Sequence, residues 1–200
     1  MPRWKNEAQT DDALQRLKRE AILKEAGRAF SQRGYHNTSL DDVAATLQVS
    51  KGTLYNYVRD KQEILFECHL VAIEMGKRAF KDGQIAGTAA EILDATLRRY
   101  IELLTTEIGA CGVLMEVDGL RAQDRAVVTR ERDAFERNLV SILRAGFKDG
   151  SIRKTDPKIA VFAFMGTINW MPRWYSPDGR LSGPEVARQL TELMLHGLVQ

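Results

Sequence analysis

The chain has 200 residues, 44% of them hydrophobic and 28% charged, with a formal net charge of +2. That length suffices for one small and one larger packed domain, and the near balance of charge excludes any argument from its overall sign. No apolar run approaches the ~20 residues of a membrane span, no signal-type segment opens the chain, and Cys68 and Cys111 lack metal-ligand spacing, so a soluble cytoplasmic protein with reduced thiols is expected.

Residues 1–12 read as a polar tail in which Arg3 and Lys5 would suit a minor-groove arm. From 14 to 33, Leu14, Leu17, Ala21, Ile22, Ala26, Ala29 and Phe30 recur at helical spacing; Gly34 supplies a left-handed stop and Tyr35 the apolar contact that follows one. A second helix opens at Thr38 or Ser39, where Asp41 and Asp42 are placed to close a capping box, and Val43, Ala44 and Leu47 form its inward stripe. After a short turn carrying Gln48, residues 49–61 (Val-Ser-Lys-Gly-Thr-Leu-Tyr-Asn-Tyr-Val-Arg-Asp-Lys) read as a helix capped by Ser50 and anchored inward by Leu54 and Val58. Its other face offers Lys51 for charge, Gly52 for close backbone approach, and Thr53, Tyr55 and Tyr57 as polar groups, with Lys61 beyond. The short separation of these two helices is that of a helix-turn-helix. Through Lys61 the chain carries 11 basic and 8 acidic residues, a local +3, against 18 and 19 in the remainder.

These residues resemble the DNA-binding end of the TetR/AcrR regulators. Thr38, Ser39, Ala44, Val49 through Tyr55, Tyr57 and Lys61 stand at the places of that family's motif, over roughly residues 14–65. There are two departures. Gln48 replaces a usual Gly, at about 1 kcal/mol if it is left-handed, and Val58 replaces a common Phe. The resemblance implies an all-α fold of about nine helices, with a three-helix DNA-binding domain over 13–62 and a larger ligand-binding and dimerisation domain over 63–200. It also implies that Lys51 to Tyr55 enter the major groove behind Ser50. Gly52 and Thr53 would meet bases, while Thr38, Ser39, Tyr57 and Lys61 would hold phosphates.

Beyond Lys61 the helical period restarts with Ile64, Leu65, Cys68, Val71, Ala72 and Met75 and runs to Gly83, a natural lever between head and body. Thr88 and Glu91 form a capping box for a helix bearing Leu93, Leu97, Tyr100 and Leu104 that ends by Gly109. A short helix or bend is expected within 113–123. Residues 123–148 form the most charged helix, with Asp133–Arg137 and Arg132–Glu136 as i,i+4 pairs. Asp156 and Pro157 open an apolar helix, and Ser182 to Glu185 open the last one. Excess apolar surface on these two predicts a two-fold homodimer, which places two heads on one duplex with a palindromic operator.

No nucleophile elbow, phosphate-cradling loop or paired histidines stand in the sequence, so no enzyme activity, metal or cofactor is expected. Trp170, Arg173 and Trp174, with Phe164 and Met165 just before them, read either as an apolar cleft with a cation for an elongated ligand bearing an anionic head, or as core and dimer contacts. Tyr100 and Met115 join the same candidate ligand-binding set. The stretch from Gly166 to Ala187 resembles the C-terminal region of TetR-type regulators that sense acyl-CoA thioesters. The function so implied is a ligand-responsive, sequence-specific DNA-binding repressor, released from its operator by a small effector, with an acyl-CoA as the candidate. The alternative is a DNA-binding protein of the same fold whose C-terminal domain binds a protein partner.

Overall fold

A computed structural model of the chain describes residues 3–106 and 114–195, with side chains from residue 13 onward. Expectations placed on the side chains of Arg3 and Lys5, and on Gly109, Cys111 and His196, lie outside that description. The described residues form eight α-helices and no β-strand, and none of these helices is long and apolar enough to cross a membrane.

Helix α1 (Arg3–Arg33) is helical from within the segment read as a tail. Its second half packs through Ile22, Ala26, Ala29 and Phe30, whereas Leu14 and Leu17 remain 48% and 62% exposed because the helix has outrun the core beneath it. Gly34 (φ +86°) ends α1 in the left-handed region, where a side chain would be strained. Tyr35 then folds back edge-on to Phe30, with ring centroids 5.2 Å apart. Helix α2 (Leu40–Thr46) is capped by Ser39, not Thr38, with Asp42 closing the box. Helix α3 (Lys51–Tyr55) is capped by Ser50 and is shorter than the period suggests. Asn56 and Tyr57 turn the chain, and Lys61 is already the first residue of α4 (Lys61–Asp82). The physical cause is Asp60, whose carboxylate accepts from the Glu63 N–H at 2.9 Å and starts a new helix in competition with continuation of the old one.

The body follows with α5 (Ala89–Thr106), α6 (Ala122–Asp149), α7 (Pro157–Trp170), a 3₁₀ turn (Met171–Arg173) and α8 (Gly183–Leu195). The capping box read at Thr88/Glu91 forms, and at Ser182/Glu185 the Glu185 carboxylate accepts from both the Ser182 N–H and its hydroxyl. Asp156 caps α7 ahead of Pro157. Residues 114–121 make turns, not a helix. Helix α5 lies at the centre, packed on α4, α6 and α8. On α6, the expected Arg132–Glu136 pair is replaced: Arg132 turns inward to the Leu114 carbonyl and Glu136 meets Lys158 at 3.6 Å.

Two apolar cores result, and α4 belongs to both. Its Ile64, Leu65 and Cys68 pack with α1, α2, Leu54 and Val58 in the head, while Ala72, Met75 and Ala79 pack with α5 to α8. Leu120 and Val128 also reach the head core, so the body grips the head at a second place.

Candidate functional site

Ser50, Lys51, Gly52, Thr53 and Tyr55 are all exposed on α3, while Leu54 on its opposite side is fully buried. This is one helix face presented outward by a single anchor. Ser50 Oγ accepts from the Thr53 N–H at 3.0 Å and lies 2.8 Å from Thr53 Oγ1, which fixes the Thr53 rotamer. Lys51 is held by the Asp41 carboxylate at 2.9 Å, a contact that raises the ammonium above its ordinary pKa. Asp42 is held below the usual carboxylate range by hydrogen bonds from the Ser39 hydroxyl and backbone, so it serves α2 as a cap. The backbone turn into α3 passes through Gln48 at φ +55°, the left-handed conformation for which Gly is better suited.

Tyr57 is half-buried. Lys61 lies with Nζ 4.1 Å from the centre of the Tyr35 ring, and burial pulls its pKa below the ordinary value. Thr38 is placed differently from the expectation: it is buried, and its hydroxyl donates to the Gly34 and Ala29 carbonyls at 2.9 and 3.3 Å. Its role is to lock the α1–α2 turn, because a side chain facing the end of α1 finds unsatisfied carbonyls there. Gly52 stands out for the opposite reason. A Cβ built on it meets nothing nearer than Ser50 Oγ at 3.8 Å, so nothing within the described protein requires a glycine.

Between α4, α5, α6 and α7 lies a cavity of about 380 Å³. Ala72, Ile73, Phe80, Tyr100, Phe135 and Met165 supply apolar wall, and His69, Lys77, Arg132 and Asn169 bring polar groups to it. Of the candidate ligand-binding residues, Tyr100 and Met165 line this cavity. Phe164 is buried in the body core behind it, Met115 is 67% exposed, and Trp170, the last residue of α7, lies outside the cavity with Arg173 and Trp174, which follow it. There the Arg173 guanidinium sits 5.9 Å from the Trp170 ring, and the Ser31 hydroxyl donates to the Pro172 carbonyl at 3.3 Å, tying this turn to α1.

His69 and Arg132 were invisible as site residues in the sequence. Each is one polar position on a long amphipathic helix, and only packing turns it inward. Burial drives the His69 pKa down to about 4, so the ring is neutral near pH 7, with Nε2 2.9 Å from the Glu116 carbonyl oxygen. The Cys68 thiol beside it is pushed up to about 12 by burial and is inert as a nucleophile.

A family model described as bacterial regulatory proteins, tetR family, matches residues 22–68, and one described as tetracyclin repressor-like, C-terminal domain, matches 86–198. The HTH-type transcriptional repressor KstR2 of Rhodococcus jostii (strain RHA1) is 29% identical over 193 residues, which cover 90% of this chain and 91% of that protein. The solved structure of the TetR family transcriptional regulator PfmR from Thermus thermophilus matches with a TM-score of 0.76 at 34% identity, covering 90% of this chain and 99% of that one. A structure of AibR in complex with isovaleryl coenzyme A and operator DNA matches with a TM-score of 0.73 at 27% identity, covering 88% and 97%.

Proposed function

The chain belongs to the TetR family of bacterial regulatory proteins, DNA-binding regulators of transcription, and from that premise we propose a homodimeric repressor that leaves its operator when a small effector enters the body cavity. The observation that carries this reading is the exposed face of α3, polar throughout and backed by one buried leucine. The division is a DNA-binding head over 13–62 and an effector-binding, dimerising body over 63–200. Ser50, Lys51, Gly52, Thr53 and Tyr55 enter the major groove. Gly52 and Thr53 read base edges, and Ser39, Tyr57 and Lys61 position the head on phosphates. Two copies related by a two-fold axis present two such heads to a palindromic operator in the cytoplasm.

The effector we favour is an acyl-CoA thioester. The apolar wall of the cavity suits an acyl chain, and AibR, a relative of the same fold, has been captured with isovaleryl coenzyme A. A cavity among the body helices also favours a small molecule over a protein partner. Release follows if the effector prefers the form that does not bind DNA; a hundredfold loss of affinity needs about 2.7 kcal/mol of such preference.

Lys61→Ala tests the phosphate assignment. Anisotropy titrations should show affinity lost about equally on every DNA sequence, with the salt slope lower by about one. An unchanged slope removes Lys61 from the contacts.

A further inference from the structure

Residues 114–121 are held at both ends of the molecule. On the cavity side the Arg132 guanidinium donates to the Leu114 carbonyl, and the Glu116 carbonyl meets His69 Nε2; both side chains line the cavity. On the head side Gln62 Nε2 donates to the Gly119 carbonyl at 3.0 Å, and Arg121 pairs with Asp60, the cap of α4. Leu120 is buried in the head core, and Gly119 sits so close that an added Cβ would lie 2.5 Å from Tyr35 Cε1. Motion of this segment would disturb the head, because it would strain the Gln62 and Arg121 contacts and the packing of Leu120.

Arg132 is half-buried, and among the described residues no carboxylate pairs with it. Burial pulls its pKa below the ordinary value, the mark of a cation that has lost water without gaining an anion. An oxygen acceptor arriving in the cavity competes for this guanidinium with the Leu114 carbonyl, the one acceptor that holds it among the described residues.

We propose that Arg132 reads the effector: an acyl chain headed by an acceptor oxygen draws the guanidinium off the Leu114 carbonyl, and residues 114–121 then loosen their hold on the head. The proposal rests on the effector-responsive reading above and adds the residue and the headgroup chemistry. It supplies the preference that release requires, since the effector gains its full contact with Arg132 only where the Leu114 contact is given up. A carboxylate and a thioester carbonyl share the necessary oxygen.

Hydrogen-exchange mass spectrometry on the full chain tests this without DNA, with octanoate and octanoyl-CoA as the two probes. In the wild type, an effective probe slows exchange in the cavity wall of α6 and speeds it severalfold at 114–121 and 59–66. Arg132→Gln should show the faster exchange at both segments with no probe present, and no further response. Gly119→Ala, which displaces the segment from the head side, should keep protection of the cavity wall while 59–66 no longer responds. Should Arg132→Gln unfold the chain, exchange rises everywhere and Gly119→Ala decides. A response to octanoate alone keeps Arg132 as the reader and removes the thioester. The proposal is overturned if neither probe accelerates 114–121 in the wild type, if Arg132→Gln responds as the wild type does, or if Gly119→Ala leaves the 59–66 response intact.

Discussion

Gly52 occupies a helical position with open space around it, and glycine there costs the helix up to about 1 kcal/mol relative to alanine. The protein forgoes that stability at the centre of the face we assign to DNA. Gly52→Ala should therefore raise the urea midpoint slightly while weakening operator binding in an anisotropy titration; equal affinity would show that no base edge approaches this backbone. His69 carries a second residue-level consequence. Its folded pKa is about 4 against an ordinary 6.5, so the unfolded chain binds the proton first as pH falls. The contribution is complete above pH 6.5 and is lost on the way down to 4, with about 2 kcal/mol lost between pH 7 and 5. Urea unfolding across that window should show the decline, and His69→Gln should flatten it; an equal slope in the variant would assign the titration elsewhere. The residues of α3 were legible in the sequence because a motif places them in consecutive order. His69 and Arg132 were not, since a cavity is assembled from helices far apart in the chain.

At the scale of elements, local chemistry was readable and chain reversal less so. The caps at Ser39, Ser50 and Asp156, the Thr88/Glu91 box and the Ser182–Glu185 contact form as side-chain spacing demands, because they involve only near neighbours. The end of α3 was misplaced by the same physics: an apolar period carries through Val58, but the cap at Asp60 starts α4 instead. The turns at 114–121 have no period at all, and their conformation is set by groups from α4 and α6. On the outer surface, α7 exposes Ile159 and Phe162, and α8 exposes Leu193 at 74%. We assign that apolar surface to the two-fold partner. Leu193→Glu adds a charge where the monomer has open space, so light scattering after size exclusion should find a smaller species with unchanged helix content. A persisting dimer would put the interface elsewhere.

The whole molecule is a small head and a larger body joined by a helix common to both cores, with residues 114–121 as a second connection. On the proposed mechanism that arrangement would carry a change of a few kcal/mol in the cavity to the head, and the α3 face stands exposed. The all-α class was legible from periodicity and the family motif, while the position of the cavity needed the packing of α4 to α7. The most direct measurement is an anisotropy titration of a labelled duplex from the DNA upstream of the gene, using the wild type and a Lys51→Ala, Tyr55→Ala double variant. Both side chains are exposed, so the variant should unfold at the wild-type midpoint while binding at least about tenfold more weakly, a loss of some 1.4 kcal/mol. Equal affinity of the two proteins for that duplex would contradict the assignment of α3 to the major groove.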